Sequence, residues 1–125
     1  GGHVMHLMDV CAAMSAYKHA RSHVVTASVD DLNFLAPAKQ GYILKLQSSV
    51  NYASNSSMEV GVKIKSENPF SGEIKHTASA YLTFVALDEY GKPKKVDNIS
   101  PQTDVEMRRY KEGEKRTQER KKRIK

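Results

Sequence analysis

Apolar residues near the start of the chain recur at helical spacing. Val4, Leu7, Met8, Cys11, Ser15 and Lys18 fall on one stripe, and Met5, Met8, Ala12 and Ala16 on an adjoining one, which predicts a helix over residues 3–20. The apolar arc is wide, so most of this helix is expected to be buried. Ala12, Ala13, Ala16 and Ala20 keep it slim enough for a sheet to wrap it closely. The period then drops to two. Val24, Val25, Thr26 and Val29 predict a strand over 23–34, with a shift of alternation between Val29 and Leu32 that suits a bulge. Pro37 and Gly41 punctuate a loop. Residues 42–52 alternate, with Tyr42, Leu44, Leu46, Val50 and Tyr52 on one face and Lys45, Gln47, Ser49 and Asn51 on the other. After the polar loop Ser54-Asn55-Ser56, a third strand points Met58, Val60, Val62 and Ile64 inward and Glu59, Lys63 and Lys65 outward. A turn over 68–72 leads to a fourth strand over 73–87, with Ala78, Ala80, Leu82, Phe84 and Ala86 on one face. From Thr103 to Lys125 the chain reads as a solvated helix, acidic at its start and basic at its end as a helix dipole prefers.

Strands with one apolar face must cover something, and the leading helix is the natural filling. The expected architecture is α+β, one antiparallel sheet curled on one helix, followed by a polar helix. The 125 residues suit one domain, long enough to need no disulfide or metal staple. The net charge of +6 is uneven: residues 104–125 hold ten Lys/Arg against five Asp/Glu, and the rest ten against nine. A near-neutral body counts against a nucleic-acid-docking face. The single cysteine, Cys11, excludes an intrachain disulfide and points to a reducing, cytoplasmic setting. No apolar run approaches the ~20 residues of a membrane span. A start on Gly1-Gly2 without Met suggests a fragment or processed form.

Most candidate chemistry reduces to ordinary structure. His3, His6, His19, His23 and His76 lack an H-E-x-x-H pattern or a cysteine partner at ligand spacing. Phosphate-binding glycine loops and the Gly-x-Ser-x-Gly elbow are missing. Cys11 reads as a small core residue. Asp9 is different. It lies two turns into a helix of Met, Val, Leu and Ala, where an acid is costly unless it is paired or performs chemistry. A cationic stretch, Tyr17 to His23, ends the helix and suits either its dipole or a phosphorylated ligand. The Ser54–Ser57 loop is dense in hydroxyl and amide groups.

Gly1-Gly2-His3-Val4-Met5-His6-Leu7-Met8-Asp9 resembles the G-G-x-x-M-x-x-M-D helix start of hot-dog-fold acyl-CoA thioesterases. His19-Ala20, Val25 to Asp30, Asn33-Phe34 and Pro37 follow that family's course. Ser56 to Val60 is similar to its T-S-M-E-V segment, and Thr83 to Asp88 with Gly91-Lys92-Pro93 to its T-F-V-A-L-D-x-x-G-K-P segment. Arg108, Arg109 and Tyr110 are similar to its C-terminal helix. The resemblance implies the hot-dog fold, with residues 1–101 as the thioesterase domain and 102–125 as a basic C-terminal helix. It places the family's first strand, and an Asn before the glycine pair, upstream of Gly1. It also puts Ser54 where the family has glycine.

The implied activity is hydrolysis of acyl-CoA to free acid and CoA. It needs no cofactor beyond the CoA of the substrate. Asp9 becomes the catalytic carboxylate, and Gly1 and Gly2 hold the thioester oxygen at the helix N-terminus, where N–H groups and the dipole favour an oxyanion. Active sites are shared across a homodimer, and a hexamer of three dimers is expected. Neither nucleic acid nor membrane is an expected partner. CoA carries phosphates, so its contacts are expected at Lys18, Arg21, Asn55, Ser56 and Ser57, joined by Arg108 or Arg109 of a neighbouring helix. Two other readings stand beside this one. The first is a non-catalytic hot-dog module that senses or carries acyl-CoA, which the acid at Asp9 disfavours. The second is a module like those that bind double-stranded RNA, which the charge distribution disfavours.

Overall fold

Met8, Ala12, Ala16 and Ala20 stand four residues apart and are all buried. They form the contact stripe of helix α1 (Gly2–Ala20), which lies along the concave face of a four-stranded antiparallel sheet. The computed structural model describes residues 2–37 and 39–124. The strands are β1 (His23–Phe34), β2 (Ile43–Ser54), β3 (Ser57–Glu67) and β4 (Ile74–Leu87), and helix α2 (Asp104–Ile124) follows. Their order in the sheet is β1-β4-β3-β2, so β1 and β2 are its two edges. Small residues are buried on the sheet as well, Ala78, Ala80 and Ala86 of β4. That lets the helix sit close to the strands, while Leu82, Phe84, Met58, Val60, Val62 and Ile64 fill the space around it.

The helix buries less of itself than its composition suggests. Val10, Met14 and Tyr17 point away from the sheet, and Met14 is 67% exposed. One sheet can cover only one side of a helix, so the far side of a broadly apolar helix stays open.

The register shifts at four places, one of them between Ile64 and Lys65 of β3 against β4. β1 slips against β4 between Thr26 and Ser28 and again between Asp30 and Asn33, the second where the alternation shift suggested one. β2 slips against β3 between Val50 and Tyr52. That last bulge moves Tyr52 from the expected inner face to the convex face, beside Asn51 and opposite Glu59.

Helix α2 is docked on the sheet, in contrast to the solvated helix its composition suggested. A Thr103–Glu106 pair caps it: the Glu106 N–H donates to Thr103 Oγ1 at 3.1 Å, and that hydroxyl bonds the Glu106 carboxylate at 3.3 Å. It then crosses the convex face from one edge to the other. Tyr110 meets Tyr52 of β2 edge-on, with ring centroids 5.1 Å apart. Gly113 is buried, because a Cβ there would lie 3.0 Å from Glu59 Oε1 and 3.1 Å from the Tyr52 Cβ. Arg116 grips Glu59 of β3 bidentately, at 2.9 and 2.7 Å, and stacks 3.6 Å over the Tyr81 ring of β4. Arg120 reaches Asp30 of β1 at 3.0 Å. Glu59 is only 2% exposed and takes a further hydrogen bond from Asn51 Nδ2 at 3.2 Å. Burial alone would depress the Arg116 pKa, but the hydrogen bond and charge of Glu59 outweigh it and hold the guanidinium above its ordinary value.

Removing one partner of a buried pair strands the other charge. Arg116→Met is therefore expected to cost about 3–5 kcal/mol in urea unfolding. The double variant Glu59→Gln/Arg116→Met should be more stable than Arg116→Met alone. A double variant less stable than the single one would show that Glu59 keeps another strong partner.

Candidate active site

Asp9 sits on the flank of α1, one residue past the buried Met8, and is half-buried. Its Oδ1 accepts a hydrogen bond from Thr26 Oγ1 at 2.8 Å. Thr26 is paired with the core residue Phe84 of β4, so the regular alternation of β1 turns this hydroxyl to the face that carries α1. A single hydroxyl leaves the second carboxylate oxygen available. The exposed apolar side chains Val10, Met14 and Val25 are neighbours of this pair in sequence, on α1 and β1. The acid is thus paired, and it lies at the rim of the core rather than inside it. Thr26 was legible in the sequence only as one β-branched residue of a strand; no local pattern marks it as the partner of Asp9.

Gly2 opens α1, and Gly1 lies outside the described residues. The first N–H groups of the helix have no intrahelical acceptor. Seven residues separate Gly2 from Asp9, which at 1.5 Å per residue is about 10 Å along the axis. Gly2 and Asp9 therefore lie about two turns apart on one helix.

Lys18 and Arg21 lie at the other end of α1, and both are exposed. Arg21 terminates the helix in the left-handed region (φ 55°), with its N–H bonded to the Tyr17 carbonyl at 2.8 Å. The β2–β3 hairpin comes to this same end of the sheet, tied in by the segment that follows β4. Val96 N–H of that segment donates to the Asn55 carbonyl at 2.7 Å, and Ala86 N–H of β4 itself to that of Ser56 at 2.8 Å. From the same segment, Lys94 Nζ reaches the Ala20 carbonyl at 3.5 Å, and the His19 ring bonds the Asp97 carbonyl. Lys18, Arg21, Asn55, Ser56 and Ser57 are thus gathered at one end. Arg108 and Arg109 lie on α2, where both line a cavity over the convex face, and Arg109 also lines a second cavity that His19 of α1 borders.

Cys11 is half-buried, its sulfur 3.4 Å from the Ser48 hydroxyl, which in turn donates to the Cys11 carbonyl at 2.9 Å and lies 2.6 Å from Ser15 Oγ. It packs against β2, away from Asp9. Among the described residues, no cluster of three or more His, Cys, Asp or Glu is arranged to hold a metal, and no helix is long and apolar enough to cross a membrane.

The thioesterase superfamily model matches residues 1–70, from α1 through β3. The chain belongs to the hot-dog-fold acyl-CoA thioesterase family. It is 42% identical over 123 residues to an uncharacterized acyl-CoA thioester hydrolase of Bacillus subtilis, covering 98% of this chain and 72% of that protein. It superposes on an apo-hexameric acyl-CoA thioesterase with a TM-score of 0.94 at 44% identity, over 99% of this chain and 80% of the other. The acyl-CoA hydrolase of Staphylococcus aureus, solved with butyryl-CoA, CoA and CoA disulfide, matches with a TM-score of 0.91 at 46% identity, over 99% and 76%. The family's fold, a sheet wrapped around one long helix, is the one described above.

The hairpin that faces α1's C-terminal end depends on Asn55, whose φ is 54°. The left-handed region strains β-branched residues and suits asparagine or glycine. Asn55→Val is expected to cost about 1–2 kcal/mol in thermal or urea unfolding, whereas Asn55→Gly should cost little. Equal losses for both would assign the role to the amide side chain instead.

Proposed function

We propose that this chain hydrolyses acyl-CoA thioesters to free acid and CoA, in sites shared between two copies of the chain. The observation that carries the reading is the Asp9–Thr26 pair: an aspartate on the flank of α1, held by one hydroxyl, with one oxygen left for a water. The family membership and the acyl-CoA hydrolase of Staphylococcus aureus support the substrate class. In the proposed step the water oxygen bonds the thioester carbonyl carbon while Asp9 takes the water's proton. The C–S bond then breaks, and the CoA thiolate leaves and receives that proton. The oxyanion lies at the N-terminal N–H groups around Gly2 of the second copy, where they and the helix dipole meet the developing charge. The separation of about 10 Å between Gly2 and Asp9 within one helix is the reason for assigning the two roles to different copies. The open side of α1, with Val10, Met14 and Tyr17, gives the second copy an apolar surface to cover. A homodimer, within a hexamer like that of the similar apo-hexameric thioesterase, is the proposed assembly.

Release of free CoA thiol across a series of acyl-CoA lengths tests the activity. Binding of acyl-CoA without any release would favour the non-catalytic module. Asp9→Asn is expected to lower kcat by at least about a hundredfold while leaving CoA affinity intact. A near-native rate in that variant would make Asp9 structural. Gly2→Pro removes one N–H at a position that tolerates proline and should also be impaired. Mixing the two variants by co-refolding should restore about a quarter of native activity, since half the dimers would be mixed and each would carry one intact site. Absence of recovery would contradict the shared site.

The phosphate end of CoA is assigned to Lys18, Arg21 and the hairpin residues Asn55, Ser56 and Ser57. Because the phosphates are remote from the carbonyl, Arg21→Ala should raise KM more than it lowers kcat. A loss confined to kcat would place Arg21 in support of the catalytic geometry.

A further inference from the structure

Phe70 stands in the turn of the β3–β4 hairpin and is 97% exposed. The turn that carries it is tightly tied. Asn68 Oδ1 accepts the N–H groups of Phe70 and Ser71 at 2.9 and 3.3 Å, and Gly72 N–H donates to the Asn68 carbonyl at 2.8 Å. Asn68 Nδ2 also donates to the Tyr42 hydroxyl at 3.2 Å, which fastens the turn to the start of β2. A turn ordered in this way has little freedom left to lose when its tip is covered.

The surroundings of the tip are graded. Ile43, Glu67 and Ile74 are register neighbours across β2, β3 and β4 in the row nearest the turn, and both isoleucines are half exposed. The next row on that face, about 7 Å back, is Lys45, Lys65 and His76. Lys45 pairs with Glu67 at 2.7 Å and Lys75 with Glu73 at 3.5 Å, so both acids are matched. Among the described residues, Lys65 takes part in no ion pair, nor does Lys39, whose Nζ lies 5.8 Å from the Tyr42 ring centroid. An apolar tip thus stands ahead of a net cationic collar. A protruding aromatic needs either a preformed pocket or a fluid apolar phase to enter. A bilayer interface supplies that phase about 5–10 Å below its surface, and anionic headgroups above it at the level of the lysines.

We propose that this end of the sheet docks on an anionic lipid surface, with Phe70 inserted at the boundary of headgroups and acyl chains and Lys39 and Lys65 on the headgroups. Ile43 and Ile74 lie beside the inserted ring. No described helix is long and apolar enough to cross a membrane, and contact of this kind needs none. The sequence alone does not point to a membrane, because a lone phenylalanine in a turn leaves no periodic signal. The proposal does not rest on the hydrolytic reading, and its test uses no thioester.

The chain contains no tryptophan, so Phe70→Trp places a single fluorescent reporter at the tip. Its emission is expected to shift to the blue with phosphatidylglycerol vesicles and to stay in place with phosphatidylcholine vesicles. Tyr90→Trp is the control. Tyr90 is 79% exposed in the turn at the other end of β4, and a reporter there should respond to neither. In co-sedimentation of the full chain with phosphatidylglycerol vesicles, Phe70→Ser is expected to weaken binding at least about tenfold. Lys39→Gln/Lys65→Gln should weaken it about tenfold, and added salt should weaken it further. Phe70 is free of side-chain contacts to the core, so its variants should keep the native circular dichroism spectrum. Absence of vesicle binding, equal binding by Phe70→Ser, or an equal blue shift in Tyr90→Trp would overturn the proposal. A blue-shifted Phe70→Trp without vesicles, reversed on dilution, would show that a second copy covers the tip and would overturn it as well. So would a shift produced by polyglutamate where vesicles produce none, which would give the collar to an acidic protein.

Discussion

The close approach of α1 to the sheet governs the rest of the molecule. Alanines at 12, 16 and 20 form the buried stripe of α1, and alanines at 78, 80 and 86 share its core, so the helix axis can lie near the strands. With the axis that close, a residue on the helix flank lies within one hydrogen bond of the edge strand, which is how Asp9 reaches Thr26. A bulkier stripe would lift the helix and break that contact before it exposed the core. The same packing leaves half of α1 uncovered, because four strands cannot surround a helix. The apolar residues on that open side are what a second copy would have to cover.

The convex face is organised by charge rather than by apolar burial. Glu59 is nearly inaccessible and is satisfied by Arg116 and Asn51, with Arg120 3.8 Å away. Such a pair is weak evidence for net stability, since desolvating both charges costs about what their attraction returns. Its effect is geometric. A planar guanidinium between a carboxylate and the Tyr81 ring admits one position for α2, and Gly113 lets the helix backbone come down to it. The angle at which α2 crosses the strands then decides which part of the face stays open.

The two ends of α1 differ in what they can offer. Its N-terminus presents N–H groups, and its C-terminus carries Lys18 and Arg21 beside the β2–β3 hairpin. Asp9 lies between these two ends, about two turns from the first, so helix length spreads the three features along one face of the fold.

Much of this molecule was legible in its sequence. The period-two strands, the alanine stripe and the isolated Asp9 follow from side-chain spacing, because helix and strand periods are local properties of the backbone. The ordered resemblance to the thioesterases rested on the same local segments. Long-range features were not legible. Tyr52 changes face because of a bulge, and there, unlike in β1, the apolar alternation runs on through Val50 and Tyr52 without a break. Thr26 becomes the partner of Asp9 only when β1 is laid beside α1, seventeen residues away in the chain. Helix α2 looked solvated because its docking face is polar: Arg116 and Arg120 read as surface charges until Glu59 and Asp30 are brought beneath them by strands 57 and 90 residues earlier. An apolar face announces its burial through periodicity, whereas a buried ion pair depends on two segments meeting, and only the tertiary structure decides that.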